Sequence, residues 1–505
     1  MIYLLSLIQH SFSTVSLHND CTPGLALLTH ASSIIFGWFA AANIPAPPRR
    51  VASILFRAAF PKRLAKAICS ISTGLILAGS VTAAEIRVSA TDNDSLSIAK
   101  IEGARLGDTV VIGPGVYRFR VYLTRSGSLD RPIIIRASDR ANRPVWDLSG
   151  KAIADWTGSY QGVDRGRAIW QITGAHYEIS GIVFRNGSDR GVGDGSGLRL
   201  KSSRQITIRD CLFQFNDNGI QGAGADTLVE FSEFDRNGLS DSLEYSHNIY
   251  IHGGDIAVRF SYIHDPRRGQ NLHIRANRAT FEYNLIARAK TYMADMMTCT
   301  MPPCDSDQYL LLRGNVFIQG NPNNDRQIFA IVNDQKAINA AFHLRMINNT
   351  LVGNGGDTAV VHLVNADKFL NRSQTVFLAN NAFIGIAKVL SVDRAKLENW
   401  AAQGTGNWFS LGTHGMDAFE NSVAGVAPGV RNLAANDLVP VAPSGLIGAA
   451  TGVLPDLPDR ELYFEMGSTL HWRPRRTVQD IGAFESTTTG EVMTYGNRRD
   501  RTGRR

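Results

Sequence analysis

An all-β solenoid of the parallel β-helix kind is the fold class that this 505-residue sequence predicts, and three observations predict it. A short apolar segment recurs eight times, beginning at Tyr177, Ile206, Thr227, Ile256, Ala279, Tyr309, His343 and Thr375. One position within it reads Ile182, Cys211, Ser232, Ser261, Asn284, Asn315, Asn349 and Asn381, at successive spacings of 29, 21, 29, 23, 31, 34 and 32 residues. Those spacings fall in the range that marks solenoids, and their irregularity argues for coils whose turns absorb insertions while the strands stay in register. Between successive copies lies a second segment that alternates apolar and polar residues with the period of a β-strand. The last four residues of the column form an asparagine stack. Asparagine tolerates a left-handed turn, and its amide can bond the same residue one coil away, about 4.8 Å on.

In chain order, residues 1–50 contain an uncharged stretch, Gly24 to Ile44, which reads as an overextended start or, alternatively, a membrane segment. Residues 51–84 follow the order of a secretory signal: basic residues from Arg57 to Lys66, an apolar run from Ala67 to Val81, then Thr82-Ala83-Ala84. An apolar run of about 15 residues is short for a span of about 20, so export to the periplasm or medium is the expectation. The spacing of Leu96, Ile98, Ala99 and Ile101 predicts a helix from Asp94 to Ala104, capped near Asp92 or Asp94 and closing the open end of the solenoid. Strands are expected from Asp108 to Ile112 and Pro132 to Ala137, then the repeats. Beyond residue 385 the pattern loosens, with a helical piece near Lys396 to Ala402 and strand-like sequence from Glu461 to Glu485 pairing with the final coils. The solenoid domain therefore covers 85–485, and 486–505 is a basic tail of disordered composition.

The net charge of +7 invites a nucleic-acid reading, but it sits at the two ends. Residues 1–84 carry six Lys/Arg against one acid and residues 494–505 five Arg against one Asp, which leaves the body with 41 basic and 43 acidic residues. A near-neutral body gives nucleic acid no footprint. Of the five cysteines, Cys299 and Cys304 could bridge the CTMPPC loop in an oxidising compartment, unpaired thiols being the alternative. No CxxC pair points to zinc.

The second segments place the candidate chemistry. With apolar residues inward, an outward column reads Arg199, Gln221, Tyr250, His273 and Asp295, and a second, one step along, reads Lys201, Ala223, His252, Arg275 and Met297. The same alternation puts Asn248 with Tyr250 and His252, and Asn271 with His273 and Arg275. Arg267 and Arg268 lie beside this face, as do His247 and His264 in its flanking turns.

The GDTVVIGPGVY stretch from Gly107, the asparagine column and the DIGAFE ending from Asp480 together resemble the right-handed parallel β-helix, pectate-lyase-like superfamily, over about residues 86 to 485. The resemblance implies a right-handed coil and action on, or binding to, polysaccharide. Lyases and epimerases of uronic acids remove a proton next to a carboxylate, and need a donor for the carboxylate and a base for the proton. Arg275 or Lys201 could neutralise, His273 or His252 could be the base, and Tyr250 could protonate the leaving oxygen. Arg199, Lys201, Gln221, Asn248, Asn271, Arg267 and Arg268 are the expected substrate contacts. No cofactor is implied beyond the calcium of pectate lyases, for which Asp295, Asp305 and Asp307 are the available acids. The chain departs from the Asp pair of polygalacturonase-like hydrolases and the Asp-Pro-His-Asp of alginate epimerases, while Lys201 and Arg275 match the residue types of chondroitinase-B-like lyases. The expected partner is an acidic polysaccharide, with no nucleic acid and no membrane after signal cleavage. A non-catalytic glycan-binding protein of the envelope or matrix, or a glycoside hydrolase, are the alternatives.

Overall fold

Each coil lays down three strands in turn, and equivalent strands of successive coils pair in parallel, so the chain climbs as a right-handed β-helix. The computed structural model describes residues 82–155, 167–189, 194–238, 246–299, 307–321, 327–334, 341–364, 374–392, 400–452, 454–463, 471–475 and 478–486. Residues 1–50, the expected signal region up to Val81, Cys304, Asp305 and most of the basic tail lie outside these. Among the described residues no helix is long and apolar enough to cross a membrane.

The first sheet includes Ala168–Ile172, the opening parts of Ser196–Arg209, Asn218–Glu230 and Ile249–Arg259, then Leu272–Ile274, Tyr292–Met297 and Gln327–Val332. The second takes the closing parts of the same three long strands, then Arg278–Glu282, Asp307–Arg313, Ala341–Ile347 and Gln374–Ala379. The third, twelve strands long, includes Glu233–Asp235, Tyr262–His264 and Leu285–Ala287. Two of the three long strands bend from the first sheet into the second at glycines, and the third, Ser196–Arg209, at Ser202 and Gln205, with φ of 54° and 52°. Gly222 and Gly254 have φ of +127° and +77°, and a Cβ there would lie 1.9 Å from the Leu200 carbonyl oxygen and 2.0 Å from that of Gly224. No other residue fits so close a backbone approach.

The alternation seen in the sequence fixes which side chains fill the coil. Ile179, Ile208, Val229, Val258, Phe281 and Leu312 stack inward in one register and are fully buried. Beside them Phe184, Phe213 and Phe234 stack at centroid distances of 5.1 and 4.8 Å. Each such residue contributes about 1.5–3 kcal/mol through burial.

The repeat column is a corner ladder. Asn284 Nδ2 donates to Asn315 Oδ1 at 3.0 Å, Asn315 to Asn349 at 3.0 Å, Asn349 to Asn381 at 2.9 Å and Asn381 to Asn407 at 3.0 Å. The left-handed residue, however, is the one before each ladder asparagine: Tyr283, Gly314, Asn348 and Asn380 have φ between 51° and 62°. The ladder asparagines are chosen for their amides rather than for the backbone angle.

The helix Asp94–Glu102 lies where expected, with Asn93 as its cap, accepting from Leu96 N at 2.8 Å. Ile101 enters the core, and Glu102 accepts from Tyr122 N at 2.8 Å, tying the cap to the coils. Two expectations fail. Residues 400–402 belong to a strand, Trp400–Thr405, paired with Gln374–Ala379; Trp400 and Ala402 pack against the core, a tertiary pull that overrides local helix preference. The second fails only in part: Arg460–Tyr463 pairs antiparallel with His471–Pro474, and Trp472 packs across Phe231 and Phe260 at the corner of middle coils, whereas Gly482 N donates to the Asn380 carbonyl at 2.8 Å and Ala483 N to Thr350 Oγ1 at 2.9 Å on the later coils.

Candidate active site

Coil register brings the outward column together as read from the sequence. Arg199 pairs with Gln221, Gln221 with Tyr250, Tyr250 with His273 and His273 with Asp295. These residues do not form an open polar surface. Relative exposure is 8% for Arg199, 0% for Gln221, 5% for His273, 8% for Arg275 and 3% for Asp295, with Tyr250 half-buried. Ionisable groups stay buried only where partners compensate them.

His273 is the centre. Its Nδ1 lies 2.7 and 2.9 Å from the two oxygens of Asp295, whose Oδ2 also accepts from Gln270 Nε2 at 3.1 Å. With Nδ1 committed to a carboxylate, Nε2 is the nitrogen left to accept a proton. The His247 ring stacks on that of His273 at 4.5 Å and 8°, and the Tyr250 ring meets it edge-on at 4.4 Å. Two ring neighbours and one carboxylate hold the imidazole from three sides.

Tyr250 is bonded to Arg275 through its hydroxyl. Burial of the phenol raises its pKa, with Arg275 pulling the other way, so it is a protonated donor at neutral pH. Arg275 donates to Asp334 through both terminal nitrogens, at 2.7 and 3.3 Å, and to the Thr298 carbonyl at 2.8 Å. Asp334 also accepts from the Thr298 hydroxyl. Burial disfavours the charged forms of both groups, but the Asp334 bond together with the nearby Tyr250 and Asp295 raises the pKa of Arg275, and the bonds from Arg275 and Thr298 hold the Asp334 carboxyl below its ordinary range.

His252 leaves its expected column. The register slips between Gly222 and Ala223, so Ala223 pairs with Gly253, and the bulge turns His252 onto the Tyr250 ring at 3.9 Å. Burial, then the nearby Arg199 and other cations, push its pKa down to about 3. His252 is thus a neutral ring and a poor base. Its Nε2, together with Arg275 Nε and Gln270 Oε1, is buried without a hydrogen-bond partner. Buried polar groups are normally bonded.

Asn248 and Asn271 are corrections. Their strands begin one residue later, at Ile249 and Leu272, so both lie in the preceding corner. Asn237 Nδ2 donates to Asn248 Oδ1, and Asn248 Nδ2 to Asn271 Oδ1, each at 2.8 Å, a second ladder that is fully buried. Lys201 is exposed and pairs with Ala223, three coils from His273 or about 14 Å. Arg267 is exposed and Arg268 half-buried on the turn leading to Leu272. His264 belongs to the outer face of the third sheet, where Asp265 and Glu233 hold it at 2.7 and 3.2 Å. Of the acids considered for calcium, Asp295 is engaged with His273, and among the described residues no group of three His, Cys, Asp or Glu is arranged to hold a metal. Cys299 is disulfide-bonded, and its expected partner Cys304 lies outside the described residues. Asp334, Thr298 and Gln270 were missed as site residues; each lies in a turn, where no period marks it.

No family model and no curated protein matches the chain. Solved structures similar to it include the alginate lyase from Paenibacillus sp. str. FPU-7, at 16% identity over 64% of this chain and 98% of that one, TM-score 0.47. Pectate lyase Pel9A is similar at 15% identity over 81% and 98%, TM-score 0.48, and XylC in complex with xylose at 9% over 77% and 89%, TM-score 0.39. At such distances they assign no residue a role. The strand topology itself is that of a parallel β-helix.

Proposed function

We propose that this is an exported polysaccharide lyase acting on a polymer that contains uronic acid, with epimerisation of the same residue as the alternative outcome. The observation that carries the reading is the buried constellation itself: an imidazole oriented by Asp295, a phenol held protonated beside it, and an arginine on the phenol oxygen. His273 Nε2 takes the proton from the carbon next to the carboxylate. Electrons of that C–H bond form the new C=C bond as the glycosidic C–O bond breaks, and Tyr250 gives its proton to the departing oxygen. Arg275 stabilises the tyrosinate so formed and the charge that develops on the uronate carboxylate. In an epimerase the same two groups would act on opposite faces of one carbon.

Hydrolysis is less well served. It requires two carboxylates flanking the bond, and here Asp295 is bonded to His273 and Asp334 to Arg275. The test is incubation with alginate, polygalacturonate and chondroitin, read by the ultraviolet absorbance of unsaturated uronate, by proton NMR for inverted residues and by reducing ends. Unsaturated product that disappears in Tyr250→Phe and His273→Ala is expected. Reducing ends without unsaturation would establish a hydrolase, and no change in any polymer would leave glycan binding as the function.

A further inference from the structure

The outer face of the second sheet carries a second charged array, which the sequence reading did not single out. Register places Arg209, Glu230, Arg259, Glu282 and Arg313 in one column over five coils, cation and anion in strict alternation. Glu230 is shared, with Arg209 Nη2 at 2.6 Å and Arg259 bonded to its other oxygen, and Arg313 pairs with Glu282. The acids lie underneath. The Glu230 side chain is 3% exposed, whereas those of Arg209 and Arg259 are each 40% exposed.

This array lines an open cleft of about 510 Å³, closed on one side by Asp459 and Arg460 of the C-terminal hairpin. Its charged lining comprises four arginines and three acids. Along its corner run the stacked rings of Phe231, Phe260 and Tyr283, at 5.0 and 5.2 Å. Ion pairs whose arginines remain partly in solvent contribute little stability, about 0–1 kcal/mol each, so folding alone gives little reason for three of them in one register. Arginines recur at every second coil, about 9.6 Å apart, which is close to the length of two sugars in an extended chain.

We propose that this cleft is a second, non-catalytic site that binds an acidic polysaccharide along the helix axis, its carboxylates on the guanidinium edges of Arg209, Arg259 and Arg313. The buried glutamates fix the guanidinium planes, and planar forks suit carboxylates. From the function proposed above it takes only the class of polymer. Its location on the neighbouring sheet would let one chain hold polymer on one face while the first sheet works on another strand.

The test uses the full-length protein carrying His273→Ala, which leaves polymer intact, with polygalacturonate and alginate as probes in affinity electrophoresis and calorimetry. Arg259→Gln with Arg313→Gln should weaken binding at least tenfold, and Arg460→Gln, at the rim and outside the ladder, should weaken it severalfold with unchanged thermal stability. Raised salt should weaken binding to the parent, and neutral dextran should not bind. Equal binding by parent and by both arginine variants would overturn the proposal, as would no binding of either polymer by the parent. Catalysis is scored separately, by unsaturated product from the protein with His273 intact, so the two readings fail independently.

Discussion

Replacing Asn248 by alanine separates a corner amide from a substrate contact. Asn248 Oδ1 accepts from Asn237 at 2.8 Å, while its Nδ2 donates to Asn271 at 2.8 Å and to the His264 carbonyl at 3.0 Å. Truncation leaves three buried polar groups one partner short. A fully unsatisfied buried group costs about 1–3 kcal/mol; Asn237 Nδ2 keeps the Phe213 carbonyl, whereas Asn271 Oδ1 loses its Asn248 donor. The expected loss is therefore about 2–4 kcal/mol in total. Urea unfolding should show a lower midpoint with an unchanged slope, and the folded fraction should bind polymer as before. An unchanged midpoint with lost binding would mean that Asn248 faces the substrate and that the second ladder has been misread.

Asp295→Asn removes the charge that fixes the His273 tautomer while preserving shape; turnover should fall about 10²- to 10⁴-fold with little change in thermal stability, measured by initial rates of unsaturated product. Tyr250→Phe should retain polymer binding in calorimetry and lose turnover. His252, held near 3 against about 6.5 in an unfolded chain, makes the unfolded state the better proton acceptor between those values. Stability should therefore fall as pH drops from about 6.5 toward 3, and His252→Asn should flatten that slope in pH-dependent urea melts. His264 has the opposite sign. Although burial works against the charged ring, Asp265 and Glu233 raise its pKa, so its contribution is complete below about 6.5 and is lost as pH rises through the folded value. His264→Gln should remove the alkaline loss.

Much of the site was legible because two periods suffice to place it. Alternation sorts Ile249 and Ile251 from Tyr250, and coil register then aligns Tyr250 with His273 and Asp295 without further information. What failed did so where strands end. Asn248 and Asn271 obey the alternation by one residue too many, since hydrogen bonding stops at Ile249 and Leu272. His252 was misplaced because a bulge inserts a residue that no pattern announces. Asp334 lies 59 residues from Arg275, in a turn of a later coil, and only the winding of the chain makes them neighbours. Burial of the column was equally invisible, because side-chain accessibility depends on turns of other coils rather than on the strand itself. The Arg–Glu array was in the repeat all along, at the second position before each ladder residue, as Arg209 stands before Cys211 and Arg313 before Asn315.

The ladder corner has a consequence for how such a chain can change. Consecutive ladder residues lie 21, 29, 23, 31, 34, 32 and 26 residues apart, yet every amide meets its neighbour at the same height. Length is thus free and height is fixed. A segment can be inserted at another corner, over the His273 face for instance, without shifting any strand by a step. The molecule behaves as a rack with clamped uprights, on which the loops framing the polymer could be exchanged one at a time while His273 and Asp295 stay in line.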